Sequence, residues 1–271
     1  MHSIILTVHN KDWLLEKVLE GIYYNTRTPY ELIIVLDGCT DNSEKVVWDT
    51  LLSTPVDWKL LHAPDVYETK ANNLGLKAAS GDKVIIIQDD IIVNEKDWNI
   101  RMEKPFKAFD DVFAVTGNTA HNWIFNSNSV HLGMEDNLDN CWCDILDHVD
   151  HASRTHTLPR DIFAARCTAN RGPLMLDHSD LQKLNYLDEE FSPQDMDDHD
   201  LCYRAYKELG KVAGAYWIDY QSDSSWGGTR VSGQPASWLL KAHHKNTKLF
   251  YERYKDLINT RRLIDNRILT D

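Results

Sequence analysis

The chain is short of cysteine, of positive charge, of long apolar runs and of repeats, and each shortage removes a class of protein. Its five cysteines (Cys39, Cys141, Cys143, Cys167 and Cys202) are odd in number and scattered, which predicts reduced thiols in a cytosol-like compartment and no disulfide frame. Lys and Arg total 29 against 42 Asp and Glu, a formal net charge of −13; a nucleic-acid backbone needs the opposite balance, so nucleic acid is not an expected partner. No stretch approaches the ~18 consecutive apolar residues of a membrane span, so no integral membrane segment is expected. The start, Met1-His2-Ser3-Ile4-Ile5-Leu6, runs into an apolar strand without a basic leader. A basic face on the last helix (Lys241, Lys245, Lys248, Arg253, Lys255) is broken by Glu252 and Asp256, so peripheral membrane association is allowed but not required. The expected location is the cytoplasm. No internal repeat or low-complexity linker divides the chain.

What is present suits a globular enzyme: 271 residues, 42% hydrophobic and 26% charged, enough to bury a core without staples. Short β-like runs alternate with amphipathic helical stretches, the order of a parallel sheet covered by helices. Strands are expected at Ser3 to Val8, Glu31 to Leu36, Lys59 to His62, Lys83 to Ile87, Val112 to Thr116 and Val212 to Ile218. Helices are expected at Asp12 to Tyr24 (Trp13 on the apolar face), from an Asp41 cap to Leu52, at Thr69 to Ala79, Glu95 to Phe109, from Ser179, at Asp198 to Leu209, and at Trp238 to Ile258. Val84-Ile85-Ile86-Ile87 is unbroken, as in a strand buried on both faces. Between Asn118 and Asn170 the pattern loosens. One domain is expected, with a nucleotide-binding half (1–117), an acceptor and catalytic half (118–233) and a C-terminal helix (234–271).

Gln88-Asp89-Asp90 follows that buried strand. Ligands of open α/β sheets bind beyond the carboxyl ends of the strands, and adjacent carboxylates there need positive compensation. Mg²⁺ or Mn²⁺ held by one or two carboxylates and substrate phosphates supplies it; the bland alternative is a solvated strand end. Asp37, in Leu36-Asp37-Gly38-Cys39-Thr40-Asp41, ends another strand and is either a ligand for a base or ribose or a turn residue. Asp197-Asp198-His199-Asp200 opens a helix, where acidic residues are favoured by the dipole whatever the function.

Together these motifs resemble the inverting glycosyltransferases of family 2, from Ser3 to about Gly228. Ile4-Ile5-Leu6-Thr7-Val8-His9-Asn10 is similar to that family's Pro-Thr-Tyr-Asn start, with Leu6 for proline and His9 for tyrosine. Leu36 to Asp41 is similar to its Asp-Asp-Gly-Ser-Thr-Asp turn. Asn73-Leu74-Gly75-Leu76, Ala79-Ser80-Gly81-Asp82 and Gln88-Asp89-Asp90 follow in the family's order. The resemblance implies a GT-A fold with a Rossmann-like, mostly parallel sheet, and transfer from a nucleotide-diphosphate sugar to a hydroxyl of a glycan, glycoprotein or lipid-linked saccharide. It implies donor contacts from Thr7, His9, Asn10, Asp37, Lys70, Asn73 and Asp89, a divalent cation (Mn²⁺ or Mg²⁺) on Asp90, Asp198 as general base, and Asp197 beside the acceptor.

The departures are specific. Gln88 replaces the first aspartate of the usual Asp-X-Asp, and the family's histidine near a Gly-Gly-X-Ser turn is not in place at Ser222 to Thr229, leaving Asp219, Asp223, His243 and His244 as alternatives for a further metal ligand. Trp226 is a candidate acceptor platform or a packing residue. Cys141-Trp142-Cys143 with His148, His151 and His156 has zinc-ligand types but not the usual spacing. Two rival functions are a nucleotidyltransferase, which would need a glycine-rich basic loop where His9-Asn10-Lys11-Asp12 stands, and a catalytically inactive sugar-binding relative.

Overall fold

The computed structural model describes residues 1–117, 119–123, 142–143, 159–223, 225–227, 236–261 and 263–269; most of the histidine-rich segment, with Cys141, His148, His151 and His156 of the zinc candidate, lies outside them. The strands are β1 His2–Val8, β2 Tyr30–Asp37, β3 Asp57–Ala63, β4 Lys83–Gln88, β5 Ile92–Val93, β6 Val112–Thr116, β7 Ala120–Trp123, β8 Trp142–Cys143, β9 Ile162–Arg166, β10 Thr168–Ala169, β11 Leu174–Asp177, β12 Val212–Ala215, β13 Tyr220–Gln221 and β14 Asp265–Ile268. The helices are α1 Asp12–Asn25, α2 Ser43–Leu51, α3 Tyr67–Ala78, α4 Trp98–Ala108, α5 His178–Lys183, α6 Asp197–Leu209 and α7 Ala236–Thr260.

A nine-stranded sheet in the order β14-β9-β12-β6-β11-β4-β1-β2-β3 runs through the chain. Strands β4, β1, β2 and β3 are parallel neighbours, β11 enters antiparallel between β4 and β6, and β12 returns parallel to β6. This is the mostly parallel α/β sheet of the GT-A fold.

The unbroken apolar strands arise because both faces are covered, so successive side chains alternate between two cores. Ile4, Leu6, Val8, Ile85 and Ile87 join one core with Leu15, Val18 and Leu19 of α1, Val47 of α2 and Trp98 of α4. Ile5, Val84 and Ile86 join the other with Leu76 of α3, Leu181 of α5 and Leu201 of α6. Each fully buried Ile or Leu contributes roughly 1.5–3 kcal/mol, so the sheet centre is the rigid base on which its edge loops stand.

Several expectations need correction. Trp13 is not on the buried face of α1 but 57% exposed. Asp41 does not cap α2, which starts after Asn42; its carboxylate instead accepts from the backbone N–H groups of Ser43 and Asp12. The strand expected to Ile218 ends at Ala215. Helix α4 begins at Trp98, three residues after Glu95, because Glu95 instead receives the Asp219 N–H. No helix among the described residues is long and apolar enough to cross a membrane.

Candidate active site

Three neighbouring strands deliver the predicted residues to one edge. In the parallel register β1 lies between β2 and β4, so His9 after β1, Asp37 at the end of β2 and Asp89-Asp90 after β4 are brought together at their carboxyl ends. The contacts confirm it: the His9 N–H donates to Asp89 Oδ2 at 3.1 Å, and His9 Nδ1 lies 2.5 Å from the Asp37 carbonyl oxygen. Asp37 is wholly buried and its carboxylate accepts from the Val66 N–H at 2.7 Å, which fixes the start of α3 beside this edge.

Burial pushes the Asp89 carboxyl up to about 7, and neighbouring Asp90 adds to this, while Lys11 and the His9 N–H pull the other way. Lys11, 1% exposed, places Nζ 3.6 Å from Asp89 Oδ1 and donates to the Trp226 carbonyl. Gly227 follows, so close to Asp90 that an added Cβ would sit 2.9 Å from its Oδ2. The turn at 225–227 therefore forms a wall of the carboxylate pair, held by Asp223, whose carboxylate accepts from the Ser225 N–H at 2.8 Å. The Trp226 ring packs partly buried against the core, and its carbonyl is the group facing Lys11.

The second half of the site grows from α6. Asp197 is fully buried, with Oδ2 2.5 Å from Arg171 Nη1. Asp198 accepts from the Arg171 N–H at 3.0 Å through Oδ2 and from the His199 N–H at 2.9 Å through Oδ1. Burial alone would raise the Asp198 pKa; His199, Arg171 and the two backbone N–H groups outweigh it and bring it below the ordinary value. Burial lowers the His199 pKa against the pull of Asp198 and Asp197, and the ring sits with Nδ1 3.3 Å from Asp198 Oδ1 and Nε2 3.2 Å from Asn170 Oδ1. Asp198 is thus a carboxylate held ionised and oriented, the state a general base requires.

The two halves are physically linked. Arg171 Nε lies 3.5 Å from Glu68 Oε1, the same oxygen that accepts from Gln88 Nε2 at 3.0 Å. Gln88 in turn directly precedes Asp89. Gly172, at φ +87°, lets the chain pass where a Cβ would be 2.5 Å from Gln88 Oε1, a position only glycine fills without strain. Of the eight non-glycine residues at positive φ among the described residues, Asn10, Asp65, Tyr67, Asp195 and Met196 flank these site residues, while Asp97, Asn185 and Tyr186 lie elsewhere.

Other predicted residues take supporting places. Thr7 Oγ1 donates to Asn72 Oδ1 at 2.8 Å, and Asn10 Oδ1 accepts from the Thr40 N–H at 2.7 Å, bracing the loops after β1 and β2. Asn73 is buried, with its amide committed to Leu187 and Glu189. Lys70 is exposed on α3. Of the alternatives for a further metal ligand, Asp219 is exposed, Asp223 builds the 225–227 turn, and His243 lies 3.5 Å from Asp195; the His244 ring is tilted 55° to that of His243 with centroids 6.2 Å apart. No group of three or more His, Cys, Asp or Glu suited to a metal occurs among the described residues. The Asp89-Asp90 carboxylates are oxygen donors of the kind that could take a hard divalent cation together with substrate oxygens. Sequence reasoning missed Lys11, Glu68 and Arg171: a lysine after a strand and an arginine before Gly172-Pro173 give no periodic or spacing signal.

A sequence model of glycosyl transferase family 2 matches residues 3–166. Glycosyltransferase GlyG of Streptococcus pneumoniae is 30% identical over 94 residues, 34% of this chain and 31% of that protein. The poly-beta-1,6-N-acetyl-D-glucosamine synthase of Staphylococcus epidermidis is 29% identical over 118 residues, 43% of this chain and 28% of that protein. The chain spans less than a third of the length of either relative. Among solved structures, the mannosyltransferase PcManGT of Pyrobaculum calidifontis, in complex with GDP-Man and Mn²⁺, aligns with TM-score 0.60 at 16% identity, covering 97% of this chain and 65% of that one. S. aureus TarS 1-349 in complex with UDP-GlcNAc aligns with TM-score 0.58 at 14% identity, covering 95% and 70%.

Proposed function

Because the chain belongs to glycosyl transferase family 2, we propose that it moves a sugar from a nucleoside-diphosphate sugar to a hydroxyl of a carbohydrate or glycoconjugate acceptor, in one displacement that inverts the anomeric carbon. The observation that carries this reading is the link from the strand-end carboxylates to Asp198 through Gln88, Glu68 and Arg171, which sets a donor site and an ionised base in one cleft. The nucleotide sugars in PcManGT and TarS support the donor class.

Asp37 and His9 border the nucleoside end of the site, and Asp90 is the residue that would hold a divalent cation. Such a cation, when bound, acts as a Lewis acid that stabilises the departing diphosphate. Asp198 takes the proton of the attacking hydroxyl. Arg171 and the His199 N–H keep Asp198 charged and aimed, and the Asp197–Arg171 pair anchors the first turn of α6 so that the base does not wander. The transition state has oxocarbenium character, and the carboxylates around the cleft favour that positive charge.

The test is a thermal-shift screen of UDP-, GDP- and dTDP-sugars with and without Mn²⁺. At least one donor should raise the melting temperature, and more so with Mn²⁺, because a ligand of the folded state stabilises it. Nucleoside diphosphate should then be released from that donor when acceptor is added. Indifference to every nucleotide sugar in both conditions would refute the reading.

A further inference from the structure

Lysine is among the costliest side chains to bury, because its ammonium must leave water, yet Lys11 is 1% exposed. Its backbone is pinned by a hydrogen bond from its N–H to Ser43 Oγ at 3.1 Å. Its Nζ sits between Asp89 Oδ1, 3.6 Å away, and the Trp226 carbonyl, with the Trp13 ring centroid at 5.9 Å. The other Asp89 oxygen is taken by the His9 N–H. Both oxygens of Asp89 are therefore engaged within the protein, and its charge is balanced by a cation of the chain itself. Asp90, one residue on, packs against Gly227, where an added Cβ would lie 2.9 Å from its Oδ2.

We propose that Lys11 is the built-in counter-cation of the donor site. It keeps Asp89 out of the metal's ligand set, leaves Asp90 as the lone carboxylate for the ion, and makes cation binding conditional on the donor diphosphate. The physical reason is charge balance. Without nucleotide, a divalent cation at Asp90 meets the Lys11 ammonium across Asp89 with one carboxylate's worth of compensation. A diphosphate brings the negative oxygens that both cations need, so metal and nucleotide raise each other's affinity by the same factor. This rests on the reading that Asp90 receives the cation, and it assigns Lys11 a positioning role rather than a catalytic one.

The test measures Mn²⁺ affinity by the electron paramagnetic resonance of free Mn²⁺, alone and with UDP or GDP, and needs no turnover. Wild-type protein should bind Mn²⁺ weakly alone and more tightly with the nucleotide it accepts. Lys11→Met removes the ammonium beside the half-buried Asp89, so its nucleotide-free Mn²⁺ affinity should rise at least about tenfold, with a smaller gain from nucleotide. Lys11→Gln, which keeps a donor for the Trp226 carbonyl, should do the same, while Lys11→Arg should behave as wild type. Lys11→Met with Asp89→Asn removes both charges, tolerates folding where the single change does not, and should return the affinity to the wild-type level. Unchanged or lower affinity in Lys11→Met and Lys11→Gln, with Asp90→Asn still abolishing Mn²⁺ binding, overturns the role of Lys11 alone. Wild-type protein that binds no Mn²⁺ with either nucleotide, or Asp90→Asn that binds as wild type, overturns the metal reading and this inference with it.

Discussion

At the amino edge of the sheet, Glu31 is buried and accepts hydrogen bonds from Ser3 Oγ, Lys59 Nζ, Ser80 N and Ser80 Oγ, all within 2.6–2.7 Å. Burial works against its charge, but Lys59 and the serines overcome it and hold the carboxyl down to about 2. At the opposite edge of the same strands, Asp89 has one backbone donor and one lysine at 3.6 Å, and burial wins, pushing it up to about 7. The amino edge is a closed network in which every charge is satisfied. At the carboxyl edge Lys11 and the His9 N–H do not offset the burial of Asp89, and carboxylates perturbed in this way cluster at functional sites.

Substitutions on the two edges should separate accordingly. The largest effect belongs to Asp198→Asn, expected to lower turnover by ~10²–10⁴-fold while leaving nucleotide binding intact; steady-state kinetics beside calorimetry on the same variant would show whether the loss is in the chemical step. Arg171→Met leaves Asp197 and Asp198 as neighbouring buried carboxylates, so it should cost about 3 kcal/mol or more of stability in urea unfolding, along with turnover. Glu31→Gln should cost about 2 kcal/mol near neutral pH without changing donor affinity. Its sign follows from a depressed pKa: the stabilisation is present above the ordinary value of 4.5 and lost as pH falls through about 2, so wild-type and variant unfolding curves should converge in acid. The smallest effect is expected from Gly227→Ala, whose Cβ would lie 2.9 Å from Asp90 Oδ2. It should weaken Mn²⁺-dependent nucleotide binding a few-fold, by roughly 1 kcal/mol, with the melting temperature little changed. A Glu31 variant that loses donor binding, or a Gly227 variant that loses only stability, would dissolve the contrast between the edges.

The parallel half of the sheet was legible because its strands announce themselves: Val84 to Ile87 must be buried on both faces, and the helices of 1–117 carry clear apolar stripes. The places of Asp37 and Asp90 at strand ends and of Asp198 at a helix start were readable because those positions have local signatures. Strands β9 and β14 were not, since their pairing is antiparallel and joins distant segments, a tertiary fact with no local period. Short β5 pairs with β13 across more than a hundred residues and is equally silent. Thr7, Asn10 and Asn73 were read as donor contacts because of their motif positions, and their side chains also hydrogen-bond to other loops and helices. Arg171 and Lys11 went unnoticed because a single basic residue carries no pattern until its acidic partners are placed around it.

The central claim is that residues distant in sequence surround one cation-bearing donor site. Histidine NMR tests it most directly, since His9 touches Asp89 and Asp37, His199 touches Asp198, and His178 lies at the amino edge beside Gly81. Adding Mn²⁺ with the nucleotide that the protein binds should broaden the ring signals of His9 and His199 and leave His178 sharp. Broadening of His9 with a sharp His199, or broadening centred on His178, would contradict the account.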